Sequence, residues 1–267
     1  MITKLIKPQN KVIRQFVQYF LFIKNENKEY EKTHICYPNT NYCLGLHKGN
    51  KFVKISDSNY KILASDNYQS YLTGIYQKPI NIYCQGIFNE VCIDFEPMGL
   101  EMLTGVKISH NIFVQNVIEL AFPKVFLNLY DLAFSSDDPY FCVARLEEFL
   151  LERIVAGNRL EFIPFNKIYA LQMKDLKTFY NKSYRSIHRL YAESLCVSPK
   201  KFLNIQRLRR IIRQLHSVNK LTEIAHTEDF FDQAHMIKEF KNLTNLSPKS
   251  FREQSDLIDG TLCWTRF

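Results

Sequence analysis

One segment plan occurs twice in this sequence, at a spacing of 49 residues. The first copy, SYRSIHRLYAESLCVSPKKF, runs from Ser183 to Phe202, and the second, DQAHMIKEFKNLTNLSPKSF, runs from Asp232 to Phe251. The aligned positions are Ile187 with Met236, Arg189 with Lys238, Tyr191 with Phe240, Ser198-Pro199-Lys200 with Ser247-Pro248-Lys249, and Phe202 with Phe251. A match across this many positions indicates a duplicated structural unit.

Each copy has the pattern of a capped amphipathic helix. Ser183 and Asp232 are residues that favour the N-cap position. Apolar residues spaced three and four apart give each helix a buried face, made of Ile187, Leu190 and Tyr191 in the first and Met236, Phe240 and Leu243 in the second. A shorter helical segment precedes each, MKDLKTFY and LTEIAHTE. The sequence therefore predicts two helix-turn-helix units.

Charge is distributed unevenly along the 267 residues. Residues 166–252 carry 17 Lys and Arg against 7 Asp and Glu, whereas residues 1–165 carry 17 of each and residues 253–267 carry 1 against 3. A basic module joined to a neutral one is typical of a polyanion-binding domain attached to a second domain. A solvated basic face without a partner is the alternative that charge leaves open.

The neutral part has the pattern of strands followed by helices. Short β-branched and aromatic segments separated by turn residues occur at 34–37, 51–56, 60–64, 68–76, 80–84 and 91–95. After Pro97 the pattern becomes helical, and one helix face carries Val143, Leu146, Phe149, Leu150 and Ile154. This amphipathic helix suits either a dimer interface or the core of its own domain.

These patterns predict an α+β protein of two domains. Residues 1–155 form a β-rich domain, barrel or sandwich-like, with flanking helices. Residues 156–164, AGNRLEFIP, are the predicted linker. Residues 165–267 form an all-α domain in which a long helix, with Ile205, Leu208, Ile212 and Leu215 on one face, joins the two units.

The sequence offers weak candidates for a metal or catalytic site. The spacing of His34, Cys36, Cys43 and His47 matches no usual zinc pattern. Asp94 and Glu96 end a strand before Pro97, where acids are commonly exposed or start a helix, and neither a Gly-rich phosphate loop nor a G-x-S-x-G elbow occurs. We therefore predict no catalytic residue, no metal and no cofactor, and a protein that is not an enzyme.

The chain has the pattern of a cytoplasmic protein that does not enter a membrane. Its seven cysteines form no C-x-x-C and lie mostly inside apolar runs, which is typical of reduced cysteines. No run of about 18 apolar residues occurs. The first residues, MITKLIKPQNKVIRQF, place charges where a signal peptide needs an apolar segment.

Residues 166–252 resemble the DNA-binding domain of the AraC-type (AraC/XylS) bacterial transcriptional regulators. The most specific match is the second unit, LTEIAHTEDFFDQAHMIKEFK with LSPKSFR, and the first unit matches through SYRSIHRLY and CVSPKKF. The N-terminal part resembles, more weakly, the sensory-type domains of such proteins, which bind an effector or dimerise. The resemblance implies double-stranded DNA as a partner, and it is compatible with a small-molecule effector, a homodimer, RNA polymerase contact and activator function.

The family usually has glycine at four places where this chain does not. Asn181, Asp229, Cys196 and Asn245 stand there. Asn and Asp are the non-glycine residues that best tolerate positive φ. We therefore predict positive φ at Asn181, Asp229 and Asn245.

The outward faces of the two longer helices would suit two successive major grooves, about 34 Å apart. Arginine can bind guanine, glutamine can bind adenine, and aliphatic groups can contact a thymine methyl. The predicted base-reading residues are Arg185, His188, Arg189, Gln233, Ala234, Ile237 and Lys238. The predicted phosphate contacts are Ser183, Lys200, Lys201, Arg209, Arg210, Lys241 and Lys249. The alternative is a protein-interaction adaptor that keeps the scaffold but does not bind DNA.

Overall fold

The computed structural model describes residues 1–106, 114–156, 172–217, 220–258 and 262–266. The strands are β1 (Ile2–Ile6), β2 (Val17–Asn25), β3 (Glu31–Cys36), β4 (Tyr42–Lys54), β5 (Asn59–Thr73), β6 (Ile80–Gln85), β7 (Phe88–Phe95), β8 (Val114–Gln115), β9 (Ser255–Ile258) and β10 (Leu262–Arg266). The helices are α1 (Gly99–Thr104), α2 (Val117–Ala121), α3 (Asn128–Ala133), α4 (Pro139–Ala156), α5 (Leu176–Tyr180), α6 (Tyr184–Leu195), α7 (Pro199–Leu215), α8 (Leu221–Thr227), α9 (Gln233–Thr244) and α10 (Pro248–Gln254). The predicted α+β class is confirmed.

The described strands form one sheet in the order β1-β2-β7-β4-β5-β6-β3-β10-β9, with β8 paired to β5. The β5–β6 pair is parallel, and the other pairs are antiparallel. Strand β7 is buried on both faces because successive side chains enter two different cores. Val91 and Ile93 pack under helices α1 to α4, whereas Phe88 and Cys92 line a second core on the other face of the sheet.

Gly45 shapes the second core. A Cβ at this position would lie 2.1 Å from the ring of Tyr71, the residue opposite it in β5. Because Gly45 has no side chain, the Tyr71 ring crosses over β4 and its hydroxyl donates a hydrogen bond to Glu90 of β7. The face of the sheet that carries this second core is called the inner face.

Helices α5 and α6 form the first helix-turn-helix unit, α8 and α9 form the second, and α7 joins them. The predicted caps are confirmed, since the side chains of Ser183 and Asp232 accept hydrogen bonds from the amides of Ser186 and His235. Each Ser-Pro-Lys motif also starts a helix, with serine as N-cap and proline in the first turn. The duplicated sequence therefore encodes two copies of one local structure.

The tight turns have the predicted backbone. The φ angles are +49° at Asn181, +54° at Asp229 and +62° at Asn245. Cys196 also lies in this left-handed region, at +55°, although cysteine has no polar side chain suited to it. All four non-glycine residues thus adopt the conformation that glycine would favour.

The two units pack against different parts of the N-terminal domain. Ile187 and Tyr191 of α6 belong to the same apolar cluster as the helices below the sheet. The second unit has its own cluster, which Tyr37 enters from the end of β3, with its ring 4.8 Å from that of Phe251. Helix α4 buries Val143, Leu146, Phe149 and Leu150 of its predicted apolar face in the first cluster, and Ile154 packs against that cluster partly buried.

Two features differ from the sequence predictions, and a third prediction falls on residues that are mostly outside the described part of the chain. Strands β1 and β2 were not among the predicted strands. The C-terminal part, predicted to be all-α, ends in β9 and β10, and β10 pairs with β3 of the N-terminal sheet. The predicted linker 156–164 lies outside the described residues except for Ala156, which ends α4, so the domain boundaries stay a prediction.

None of the described helices is long and apolar enough to cross a membrane.

Candidate nucleic-acid interface and N-terminal cavity

Helix α6 exposes the predicted stripe of the first unit. Arg185, His188 and Arg189 are all exposed. Arg189 lies 4.0 Å from Glu193 one turn later, with 74% of its side chain accessible. Such an exposed pair contributes little to stability. The guanidinium groups are therefore displayed on the surface, where they can meet an external partner.

Helix α9 exposes a mixed stripe in the second unit. Ala234 and Lys238 are exposed, whereas Gln233 and Ile237 are half-buried. Ile237 packs partly against the apolar cluster of this unit, so only part of its side chain is available to a ligand. The stripe combines one amide, one cation and small apolar groups.

The predicted phosphate contacts divide into two groups. Lys200, Lys201, Lys241 and Lys249 are exposed, and Ser183 is the exposed N-cap of α6. The other two residues are held by the protein, with Arg209 buried and Arg210 half-buried. Arg209 is only 7% exposed and lines a cavity of the N-terminal domain.

Arg210 is the second of these held residues. Its Nε donates to Glu228 at 2.7 Å, and the carboxylate is 4% exposed. Gln214 donates to the same carboxylate at 2.6 Å. Arg210 therefore fixes α8 against α7 while part of its side chain stays accessible, so its phosphate contact stays a prediction, whereas the buried Arg209 is not accessible to DNA in this conformation.

Two exposed aromatic side chains near the stripes were not predicted. Tyr184, the first residue of α6, is 50% exposed, and Phe231, which precedes the N-cap of α9, is 94% exposed. The sequence analysis placed Tyr191 and Phe240 on buried faces and assigned no role to Tyr184 or Phe231. The signal available was position, since both residues lie at the end of the helix that enters a DNA groove in helix-turn-helix proteins.

The inner face of the sheet lines a cavity of about 90 Å³. Its wall is mainly aromatic and aliphatic, and includes Tyr19, Phe52, Tyr76 and Phe88. Apolar walls with a few polar groups are typical of small-molecule sites. One wall residue, Arg209, comes from α7 and not from the N-terminal domain.

Two buried carboxylates face this cavity. Asp94 is 4% exposed, and Asn41 donates a hydrogen bond to it. Burial raises the pKa of Asp94 to about 8. The expectation that Asp94 is exposed at the end of its strand is wrong, because β7 is covered on both faces.

The other carboxylate, Glu90, accepts from Tyr71 and lies 3.8 Å from His47. His47 is fully buried, and burial lowers its pKa. Glu96, two residues after Asp94, lines a separate cleft, where burial raises its pKa to about 7. Asp94 and Glu96 therefore do not meet as a catalytic pair in one site.

A polar cleft lies on the other side of Arg209. Lys7, Arg209 and Arg213 line it together with Glu96. Gln206 of α7 also lines it, and both side-chain amide atoms of this 1% exposed residue have no protein hydrogen-bond partner. Buried amides without partners are rare, so the cleft has the chemistry of a polar ligand site.

Within the described residues, no group of three or more His, Cys, Asp or Glu side chains is placed to bind a metal ion.

Comparison with known proteins gives one family and several similar structures. The family model described as a helix-turn-helix domain matches residues 178–254, so the helix-turn-helix region predicted from the sequence is confirmed there. No curated protein matches the sequence.

The similar solved structures include ToxT from Vibrio cholerae, in one crystal form, with 13% identity and a TM-score of 0.44, covering 87% of this chain and 98% of that one. Wild-type ToxT from Vibrio cholerae strain SCE256 with bound unsaturated fatty acid has 13% identity and a TM-score of 0.45, and the match covers 87% of this chain and 94% of that one. ToxT from Vibrio cholerae O395 bound to (E)-4-(8-methylnaphthalen-1-yl)but-3-enoic acid has 14% identity and a TM-score of 0.45, and the match covers 87% of this chain and 98% of that one.

Proposed function

We propose that this chain, whose residues 178–254 form an AraC-type helix-turn-helix domain, is a sequence-specific transcriptional regulator and not an enzyme. Its recognition helices α6 and α9 enter two successive major grooves of one duplex. The observation that carries the proposal is the duplicated unit, each copy of which exposes polar and basic side chains on the helix face opposite its core. RNA polymerase contact, homodimerisation and activator function remain predictions from the family resemblance.

The two helices read different chemistry. Arg185 and Arg189 of α6 suit guanine, whereas Gln233 of α9 suits adenine. The operator should therefore contain a G·C-rich segment about one helical turn from an A·T-rich one. Lys200 and Lys249, each next to an N-terminal proline of its helix, hold the phosphates beside these segments.

Duplex selection with the full-length protein tests this reading. A 40-bp duplex chosen from a randomised pool should bind with an affinity that falls steeply as salt rises, because bound phosphates release counterions. Arg189→Ala and Lys238→Ala should each weaken specific binding by about 1 to 3 kcal/mol and relax discrimination at one base pair. Lys249→Ala should weaken binding to all sequences and reduce the salt slope by about one charge.

Lys51→Ala is the matched control, because Lys51 is an exposed lysine on β4 of the N-terminal sheet. It should leave affinity and salt slope unchanged. The adaptor alternative would replace the regulator if the wild type selects no sequence, or if both stripe variants retain full affinity for the selected duplex.

We also propose that the N-terminal cavity binds a small apolar effector with an acidic group. The apolar wall suits a hydrocarbon body, and the cations Lys7, Arg209 and Arg213 around the adjoining cleft suit a carboxylate. Because Arg209 belongs to α7, an occupant would contact the helix that joins both recognition units. This contact gives the effector a route to DNA binding.

Thermal unfolding with a matched pair of probes tests the effector. Decanoate should raise the Tm of the wild type more than decanol does, and Arg209→Gln should reduce that difference. Arg145→Gln, at an exposed position of α4, is the control and should keep it. Equal shifts from both probes, or an unchanged response in Arg209→Gln, would contradict the proposed head-group contact.

A further inference from the structure

Phe231 lies beside the second recognition helix with almost its whole side chain in solvent. It is 94% exposed, a larger fraction than any other large hydrophobic residue in the described part of the chain. It follows the turn residue Asp229 and the buried Phe230, and it precedes the N-cap Asp232. In the first unit the residue directly before the N-cap Ser183 is Lys182, so that unit has no aromatic ring at this position.

The core of the second unit does not need this ring. A hydrophobic residue just before an N-cap often packs against the fourth helical residue, which here is Met236. Met236 is fully buried without Phe231. Phe230 fills the neighbouring space instead, with its ring 5.3 Å from that of His235 and 4.9 Å from the guanidinium of Arg207.

The backbone on both sides of Phe231 is fixed. The amide of Phe230 donates to the carbonyl of Ala225 at 2.9 Å. On the other side, the carboxylate of Asp232 accepts from the amide of His235 at 2.7 Å. The phenyl ring is therefore presented on a rigid support, and it cannot turn into the core without displacing Phe230.

The surroundings of Phe231 indicate what covers it. It lies two residues before Gln233 and seven before Lys238, which are base-reading candidates on the exposed face of α9. Helix-turn-helix proteins insert the N-terminal end of this helix into the major groove. The apolar group that a base pair presents there is the 5-methyl of thymine, and phenylalanine is among the side chains that contact it.

We infer that Phe231 reads thymine, by packing its ring against one or two 5-methyl groups beside the bases contacted by α9. This inference rests on the proposed function and adds a specificity residue to it. Together with Gln233 and the partly exposed Ile237, it gives the N-terminal end of α9 a preference for A·T pairs, whereas Lys238, farther along the helix, suits guanine. The first unit, with Arg185 and Arg189, contains the guanine-reading side chains.

Replacement of thymine by deoxyuracil is the direct test, because deoxyuracil lacks only the methyl group. The probe is the duplex selected with the full-length wild-type protein, synthesised with deoxyuracil at one A·T position at a time. Wild-type Kd should rise about fourfold at one or two adjacent positions of the A·T-rich segment, the loss expected for one buried methyl. Phe231→Ala should raise the Kd for the thymine duplex about tenfold and no longer respond to deoxyuracil at those positions.

Two further measurements separate a base contact from other effects. Phe231→Leu keeps an apolar side chain and should retain part of the deoxyuracil response. The salt slope of Phe231→Ala should equal that of the wild type, because no charge is lost. The Tm should also be unchanged, since the ring is exposed.

The outcomes distinguish this inference from the proposed function. If Phe231→Ala binds the selected duplex with wild-type affinity, as it would if the ring met a protein partner, the inference is overturned while the regulator assignment stands. An equal loss on thymine and deoxyuracil duplexes at every position overturns the methyl contact. If the wild type selects no sequence, the proposed function and the inference fail together.

Discussion

The left-handed turn at Asn245 predicts an unusual order of stability among single substitutions. Asn245 follows the last residue of α9 with φ +62°, and its amide donates to the carbonyl of Lys241 at 2.9 Å. Its side chain is exposed, so a replacement changes backbone strain and removes little packing. Left-handed backbone destabilises an ordinary L-residue by about 1 to 2 kcal/mol, and glycine avoids this strain.

We expect Asn245→Gly to be neutral or more stable by up to about 1 kcal/mol, because relief of strain is partly offset by the greater chain entropy of unfolded glycine. Asn245→Ala should lose about 1 kcal/mol, and Asn245→Val should lose more because its branched Cβ crowds the backbone. The order of stability at this position is therefore glycine, then alanine, then valine.

Asn242 provides a matched control in the same helix. It is exposed and lies within α9 three residues before Asn245, so its backbone is right-handed. There glycine should be less stable than alanine by up to about 1 kcal/mol. The difference between glycine and alanine should thus change sign within three residues.

Urea unfolding of the full chain, followed by circular dichroism at 222 nm, measures these differences. The m-values should stay equal across the series, so that shifts of the midpoint report stability. Alanine more stable than glycine at Asn245, or the same order of stability at Asn242 and Asn245, would refute the assignment of the turn.

Two further predictions concern the N-terminal domain and its junction with the C-terminus. Burial raises the pKa of Asp94 to about 8, so its contribution to stability is full below pH ~4 and is lost as the pH rises through 8. The free energy of unfolding should fall by up to about 1.4 kcal/mol per pH unit between pH 5 and 8. Asp94→Asn should reduce that slope in urea titrations, and an unchanged slope would exclude Asp94 as its source. Trp264 of β10 pairs with Cys36 of β3, so Trp264→Cys should form a disulfide with Cys36 on mild oxidation, whereas Thr265→Cys should not. Peptide mass spectrometry that finds this bond in both variants, or in neither, would contradict the pairing.

Local features of the C-terminal part could be predicted from the sequence because neighbouring residues determine them. The caps at Ser183 and Asp232 follow from one side chain and one amide three residues away. The positive φ of Asn181 and Asn245 follows from the place of each residue after a helix. The apolar faces of α6 and α9 follow from a spacing of three and four residues.

The second strand of the sheet could not be recognised by alternation. Strand β2, VQYFLFIKN, is buried along most of its length. Strands covered on both faces are apolar throughout and lack the period of two that identifies a strand with one wet face. The pairing of β10 with β3 joins residues more than two hundred positions apart, and no local pattern specifies such a contact.

Arg209 illustrates the same limit at the candidate site. Its helix was predicted to bury one face, and Ile205, Leu208, Ile212 and Leu215 are indeed buried. Gln206 and Arg209 are buried as well, because the N-terminal domain covers a second face of α7. A basic residue on a helix of a basic domain suggests phosphate binding. The local sequence does not show that another domain covers this residue.

Contacts of α7 with both helix-turn-helix units give the proposed effector site a connection to each of them. Asn204 of α7 donates to Glu239 of α9 at 3.3 Å, and Arg210 holds α8 through Glu228 at 2.7 Å. The first unit packs on the N-terminal end of the same helix through Phe202, whose ring lies 5.5 Å from that of Tyr191. If the proposed effector binds, a displacement of Arg209 by it would act on a helix that contacts both units. Binding to two successive major grooves would require a fixed spacing between α6 and α9. Helix α7 contacts both units and therefore contributes to that spacing.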